Sequence, residues 1–301
     1  MIKSITVTNH LGESMVLELR FPEKSGFLVS DISGLGPGKA IINTTEVLTK
    51  DGSTYNSAKA NSRNIVFSLM FLPYPTIEST RQKSYKYFPI KKQVHLLVET
   101  DNRLSVITGY VESNEPNIFS KEESTQISII CPDPHFYSQQ IKETIFSGII
   151  SEFEFPFSNE SLTEDLIEFG TIVNKTNENI YYDGDSEIGM MLYIHFVGLV
   201  EDIEIYNTLT REQMLINTTV LASIIGSPIA AGDNIIISTI KGNKYIYFLR
   251  DGEFTNILNC LDRNSNWFQI TKGDNLFAYT AGVGVTNMQF KVTNQTVYEG
   301  V

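Results

Sequence analysis

The sequence predicts a mainly β protein in two domains, on three observations. Short runs rich in Ile, Val, Thr, Tyr and Phe recur along it, separated by turn pairs such as Asp51-Gly52, Asp183-Gly184 and Asp251-Gly252. That is the composition of pleated, half-buried strands and the punctuation of hairpins. The chain has 301 residues, more than one small core organises, since domains commonly hold about 100–200 residues. Charge is also unevenly divided: residues 1–138 carry 14 Lys/Arg and 14 Asp/Glu, residues 139–301 carry 9 and 21, and the second half therefore holds the whole −12. We place the domain boundary at 138/139, beside Pro132 and Pro134, because two prolines so close stop a strand.

The first domain, 1–138, reads as β-rich α+β with one helix. Alternating segments near residues 5–8 and 15–19 flank the turn at Asn9–Gly12, and further strands are expected at 27–32 and 40–49. Asp51-Gly52 suits a hairpin tip, since the pair accepts positive φ at low cost. Ile65, Phe67, Leu69 and Phe71 share one strand face. A helix follows over 77–88: Thr76 can cap it, Glu78 lies in its first turn, and Lys83 and Lys86 lie near its end. Ile77, Tyr85 and Phe88 are the face expected to pack. A second hairpin turns at Asp101, Asn102 and Arg103, and the strand 124–131 closes the domain.

The second domain, 139–301, starts with a Ser/Glu-rich connection over 148–166. It then reads as all β, with strands expected near 169–174, 190–197, 203–206, 213–217, 233–239, 244–249, 267–270, 275–280 and 288–293. Short strands at this spacing predict a β-sandwich or jelly roll.

Several chemistries are excluded or disfavoured. No stretch approaches the ~20 apolar residues that span a bilayer, and the start reads as a first strand, so a signal peptide and ordinary secretion are not expected. Neither half has a basic stripe for phosphates, so specific nucleic-acid binding is not expected. Cys131 and Cys260 are read as buried thiols. The histidines at 10, 95, 135 and 195 make no metal-ligand spacing. The loop Gly34, Leu35, Gly36, Pro37, Gly38 lacks the Lys-Ser/Thr of a phosphate loop and suits close approach of two backbones. Glu152 and Glu154 share a face but nothing sets them across a sugar bond as a hydrolase needs, and Glu201, Asp202 and Glu204 read as a solvated edge. Asp183, Asp185 and Glu187 read as a turn before a calcium loop. No catalytic residue, cofactor or metal is expected. Trp267 is the candidate saccharide contact; its neighbour Phe268 points the other way and is expected in the core.

The same segments resemble, in order and spacing, the siphophage distal tail protein family. The resemblance is carried by Ile5 to Gly12, Leu28 to Gly36, Asp51-Gly52, Arg63 to Phe71 and Cys131 to Tyr137. In the second half it is carried by Asn174, Gly232-Asp233, Lys241 to Lys244, Ser265 to Ile270, Gly273 to Asn275 and Tyr298 to Val301. It covers nearly the whole chain, and no single motif is highly specific. Trp267 and Asp274 depart from the family pattern and leave a ligand site in the second domain open. The resemblance implies an N-terminal ring-forming belt domain and a C-terminal galectin-like β-sandwich. It implies a non-enzymatic hub at the virion tail tip, assembled in the bacterial host cytoplasm. Six copies would form a ring joining the tail tube protein to the tail-associated lysin or tip protein, with receptor-binding protein as a further partner and DNA passing through the lumen. The interface candidates are Gly34, Leu35, Gly36, Asp51, Gly52, Asp101, Asn102 and Arg103, against the competing reading that these are ordinary surface turns. The alternative function is a carbohydrate-binding adhesin acting through the second domain.

Overall fold

The computed structural model describes residues 1–46, 48, 51–151 and 170–301. The chain divides into two compact units, Met1–Gln140 with Val297–Val301, and Ile141–Thr296. The last five residues thus pack with the first unit, although by sequence they follow the second. Both units are mainly β.

The first unit contains β1 (Ile2–Thr8), β2 (Ser14–Glu18), β3 (Phe27–Ser33), β4 (Ala40–Glu46), β5 (Ser53–Ala60), β6 (Arg63–Phe71), α1 (Ile77–Tyr87), β7 (Gln93–Thr100), β8 (Leu104–Asn117), β9 (Ser124–Cys131) and the start of β10 (Phe136–Ser151). The pairing β2-β1-β7-β8 is antiparallel, and the long strand β8 changes partner along its length. Leu104 to Tyr110 face β7, while Tyr110 to Asn117 face β9. A register shift between Val111 and Ser113 marks the change, as a bulge that bends a strand does. From β9 the ladder continues through β6 to β3. The predicted face of β6 is the core: Ile65, Phe67 and Leu69 are fully buried, and Phe67 meets Phe88 at 5.9 Å between ring centroids.

The helix begins where expected. Thr76 accepts from the Ser79 amide at 3.1 Å, and the Ser79 hydroxyl answers the Thr76 amide at 3.2 Å, a reciprocal cap that satisfies two otherwise orphan donors. Of its expected packing face, Phe88 is fully buried and Ile77 packs against the core, but Tyr85 departs from expectation. Tyr85 is exposed, and the buried helix residues are Thr80 and Ser84. Small residues win because the chain comes too close for larger ones. A Cβ built on Gly26 would stand 2.9 Å from the Tyr74 Cβ and 3.0 Å from the Thr80 hydroxyl oxygen, and that hydroxyl donates to the Leu72 carbonyl at 2.7 Å.

In the second unit the later part of β10 is joined by β11 (Gly170–Asn174), β12 (Asn177–Tyr182), β13 (Met191–Phe196), β14 (Glu201–Asn207), β15 (Glu212–Ile216), α2 (Thr218–Ile225), β16 (Asn234–Ser238), β17 (Tyr245–Arg250), β18 (Glu253–Asn256), β19 (Gly273–Val283) and β20 (Met288–Tyr298). One sheet runs β18-β17-β16-β13-β20-β10, with β11 paired to β10, and a four-stranded sheet runs β12-β19-β14-β15. Their facing side chains form one core, so the unit is a β-sandwich. At its centre Phe290 meets Phe146 edge-on at 5.0 Å and stacks on Tyr279 at 4.9 Å. The buried Tyr279 hydroxyl donates to Ser147 at 2.6 Å, and Ser147 in turn donates to the Met288 carbonyl at 2.8 Å, as buried polar groups require.

Three expectations are corrected here. The segment 218–225 is a helix, not part of an all-β run: Asn217 caps it, accepting from the Val220 amide at 3.0 Å, and Gly226 ends it with φ 79°. Residues 267–269 are not in a strand, and only Ile270 makes an isolated bridge, to Ile188. Part of the expected connection, up to residue 151, lies in the 16-residue strand β10, which starts two positions after Pro134. The prolines stop β9 but do not prevent a new strand. Strands β5, β12 and β18 were not singled out in the sequence.

Candidate self-association surface

Strands β4 and β5 form a two-stranded sheet of their own, and all their residues are exposed. Their composition is not that of a solvated loop. Ile42 and Tyr55 are each 63% exposed, and Ile41 is exposed too. The register sets Ala40 opposite Ala60, Ile42 opposite Ala58 and Thr44 opposite Tyr55. Because alternate residues share a face, the arm carries a largely apolar face of Ala40, Ile42, Ala58, Ala60 and Tyr55 that ends at Glu46, and a more polar one with Ile41, Asn43, Ser57 and Lys59. On the polar side Asn43 donates to the Ser57 hydroxyl at 3.0 Å. A lone hairpin is marginally stable in water at best, and this one has no core beneath it. Asp51 and Gly52 lie at its tip, Gly52 with φ 87° and open space around it.

The base of the arm is fixed by Arg63, the first residue of β6. Its side chain is 6% exposed. It donates to the carbonyls of Gly34 at 2.7 Å, Pro134 at 2.6 Å and Glu299 at 2.6 Å, and to that of Gly36. The guanidinium also lies 4.8 Å from the centroid of the Phe136 ring. One planar, multi-donor group therefore ties together the loop before the arm, the junction after β9 and the C-terminal segment. Burial pushes its pKa down from the ordinary arginine value, but the carbonyl dipoles provide the hydrogen bonds that a buried cation needs. Within the loop only Leu35 is buried, at 7% exposed, whereas Gly34, Gly36, Pro37 and Gly38 are exposed; a Cβ on Gly34 would stand 2.1 Å from the Asn64 oxygen. The Val301 amide donates to the Leu35 carbonyl at 3.1 Å. Only glycine fits at 34, as the sequence reading of close backbone approach expects.

The other candidates are dispersed. Asp101 and Asn102 form the turn between β7 and β8, where Asp101 pairs with the Met1 amine at 2.5 Å, and the Arg103 guanidinium lies 4.4 Å from the Tyr298 ring centroid. Trp267 is half-buried, packs against the second unit's core and has the Lys244 ammonium 5.4 Å from its ring centroid. Phe268 beside it is fully buried. Lys142 pairs with Asp183 at 2.8 Å and Lys241 pairs with Glu187, so cations already neutralise two of the three turn carboxylates considered for calcium. Glu152 and Glu154 lie outside the described residues. Cys131 and Cys260 are buried and free, and burial pushes the Cys131 thiol up to about 11, far from a reactive thiolate. His135 and Tyr137 both hydrogen-bond Asp133, at 2.9 and 2.6 Å, in one exposed turn. Among the described residues, no group of three or more His, Cys, Asp or Glu could hold a metal ion, and no helix is long and apolar enough to cross a membrane.

A further exposed apolar feature was not singled out in the sequence. Phe119 is 96% exposed in the turn between β8 and β9, beside exposed Ile118. A Phe within a polar turn was the available signal.

No protein-family model matches the sequence, and no curated protein matches it. Solved structures do. The SPP1 Dit (gp 19.1) protein, described as a paradigm of the hub adsorption apparatus in Gram-positive-infecting phages, is similar over 97% of this chain and 98% of its own, with a TM-score of 0.64 at 10% identity. This chain therefore shares the fold of that protein across both units. Chains of the phage P2 baseplate in its activated conformation, one with Ca and one with Sr, align at TM-scores of 0.45 and 0.44, with 12% and 11% identity, over 97% or more of each chain.

Proposed function

We propose that the chain is a structural hub subunit of a bacteriophage tail tip, a distal tail protein. In this reading six copies close into a ring below the tail tube, with the first unit forming the ring and the second a galectin-like sandwich. The observation that carries the reading is the β4–β5 arm. It exposes a largely apolar face, bounded at one end by Glu46, that no described residue buries, and a second copy of the first unit is a fitting cover. Charge agrees: residues 1–138 balance at 14 of each sign, so copies of this part meet without net repulsion. A closed ring is also a general solution for a surface that would otherwise aggregate. The fold shared with the SPP1 Dit protein supports the same assignment.

The proposed partners are the tail tube protein on one side of the ring and the tail-associated lysin or tip protein on the other, with receptor-binding protein as a third. DNA would pass the lumen without specific binding, and the role involves no catalytic turnover. Assembly would occur in the host cytoplasm and the finished subunit would reside at the virion tail tip. Asp51 and Gly52 at the arm tip are the strongest of the proposed interface residues. Leu35 is the weakest as a direct contact because it is buried. The test is an electron-microscopic image of the assembled particle with the subunit marked by an antibody fragment against the second unit. A sixfold collar below the tube is expected; label anywhere else on the particle would overturn the assignment.

A further inference from the structure

We infer that the outer face of the larger sheet in the second unit binds a neutral saccharide, a function that does not depend on the hub reading. The register aligns two rows across that face. In one, Lys291, Tyr193, Ile236 and Tyr247 are successive cross-strand neighbours; in the other, Gln289, His195, Asn234 and Leu249 are. Residues of both rows, with Glu143, Ile145 and Gly148 of β10, line a cavity of about 360 Å³, at the small end of the ~300–1,000 Å³ of ligand sites. Apolar Ile236 and Leu249 line it beside Tyr193, with the polar groups of His195, Asn234 and Gln289 alongside. Tyr247 continues the aromatic row and meets Tyr245 at 4.8 Å and Phe254 at 6.1 Å.

The chemistry selects the ligand class. The His195 ring nitrogen Nδ1 lies 2.8 Å from the Asn234 Oδ1. An amide oxygen only accepts, so Nδ1 is the donor of this bond and Nε2 is left to a ligand. The Asn234 amide nitrogen donates to the Gly232 carbonyl at 3.0 Å, which holds the pair in place. Among the described residues, the Gln289 amide makes no hydrogen bond within the protein and offers a donor and an acceptor together. Vicinal hydroxyls, each of which donates and accepts, match such groups, and the C–H face of a sugar ring matches the apolar floor and the tyrosine. The site is electrically balanced: Lys291 pairs with Glu143 at 3.3 Å, and its ammonium lies 5.4 Å from the Tyr193 ring centroid. An anionic ligand would find its cation already paired. The outer face of the four-stranded sheet is different. Its cleft is lined by Glu204 and Glu212 around Arg211 with a single tyrosine, Tyr206, and lacks an apolar floor.

Ligand-observed saturation-transfer NMR on the full chain tests this, with galactose, glucose, N-acetylglucosamine, lactose, maltose and glucose 6-phosphate as probes. At least one neutral sugar is expected to bind in the ~1 mM range, with the phosphate ester no tighter. Tyr193→Ala and Gln289→Ala are each expected to weaken it about tenfold or more, equivalent to ~1.4 kcal/mol. Tyr193→Phe keeps the ring and is expected to retain binding, which separates stacking from any loss of fold; Trp267→Ala is expected to leave binding unchanged. The proposal is overturned by silence from every neutral probe at tens of millimolar, by binding that survives both Tyr193→Ala and Gln289→Ala, by binding lost only in Trp267→Ala, or by tighter binding of the phosphate ester. A polypeptide found to occupy this face in the assembled particle would also overturn it.

Discussion

Two hairpins of the first unit live in opposite surroundings. In β7–β8 alternate residues vanish into the core: Val94, Leu96 and Val98 are fully buried. In β4–β5 no residue is buried, although Ile42 and Tyr55 are as apolar as many core residues. Backbone pairing is similar in both, so pairing alone does not explain why the arm is apolar. The first hairpin is stabilised within its own unit; the second is left exposed, and the proposed ring would supply its cover. Buried apolar groups each contribute about 1.5–3 kcal/mol, a gain that the proposed association would give the arm.

Phe67→Ala removes a fully buried ring packed on Phe88 and is expected to cost about 3–5 kcal/mol, read from the first unit's transition in urea. Arg63→Ala leaves carbonyls of three segments without their donor, and a loss of roughly 3 kcal/mol or more is expected in the same assay, since hydrogen bonds to charged groups contribute about 1.5–3 kcal/mol. Arg63→Lys should recover little of it, because an ammonium cannot span the four acceptors.

A smaller effect belongs to the second unit. Asp233 is 4% exposed and accepts two bonds from Arg250, at 2.7 and 2.5 Å. Burial raises its pKa, but the Arg250 hydrogen bonds and charge and the Ala230 amide outweigh that and hold it below the usual aspartate value. A depressed folded-state pKa means that the stabilisation is present above the unfolded value of ~3.9 and is lost as pH falls through the folded one. Asp233→Asn is therefore expected to cost about 1–2 kcal/mol at pH 7 and to lose that penalty at strongly acidic pH, where the native protein has lost the same stabilisation. Thermal unfolding at both pH values checks this. The smallest effect on folding is expected at the arm: Ile42→Asp should change the stability of the isolated subunit by less than about 0.5 kcal/mol, yet weaken self-association measured by dilution.

What the sequence made legible follows local physics. Thr76 announces α1, Asp51-Gly52 announces a hairpin tip, and alternation announces the core face of β6. It did not show that the arm stands alone, because a hairpin signal is silent about what covers the strands. Helix α2 was hidden because Thr218, Thr219, Val220, Ile224 and Ile225 favour strands; Asn217 and Gly226 were the overlooked caps. The role of Arg63 could not be read at all, since its acceptors lie 27, 29, 71 and 236 positions away. The polar and aromatic rows around His195 needed the register of four strands to bring them together.

The arm can be removed cleanly, because the Asn61 amide reaches the Lys39 carbonyl at 3.4 Å and a short Gly/Ser link can replace residues 40–60. Sedimentation velocity of the full chain beside this arm-less chain is the most direct measurement. A sixfold assembly that falls to folded monomer on loss of the arm is expected. Equal masses for the two chains, whether both monomeric or both assembled, would contradict the claim that the arm is what joins one subunit to the next.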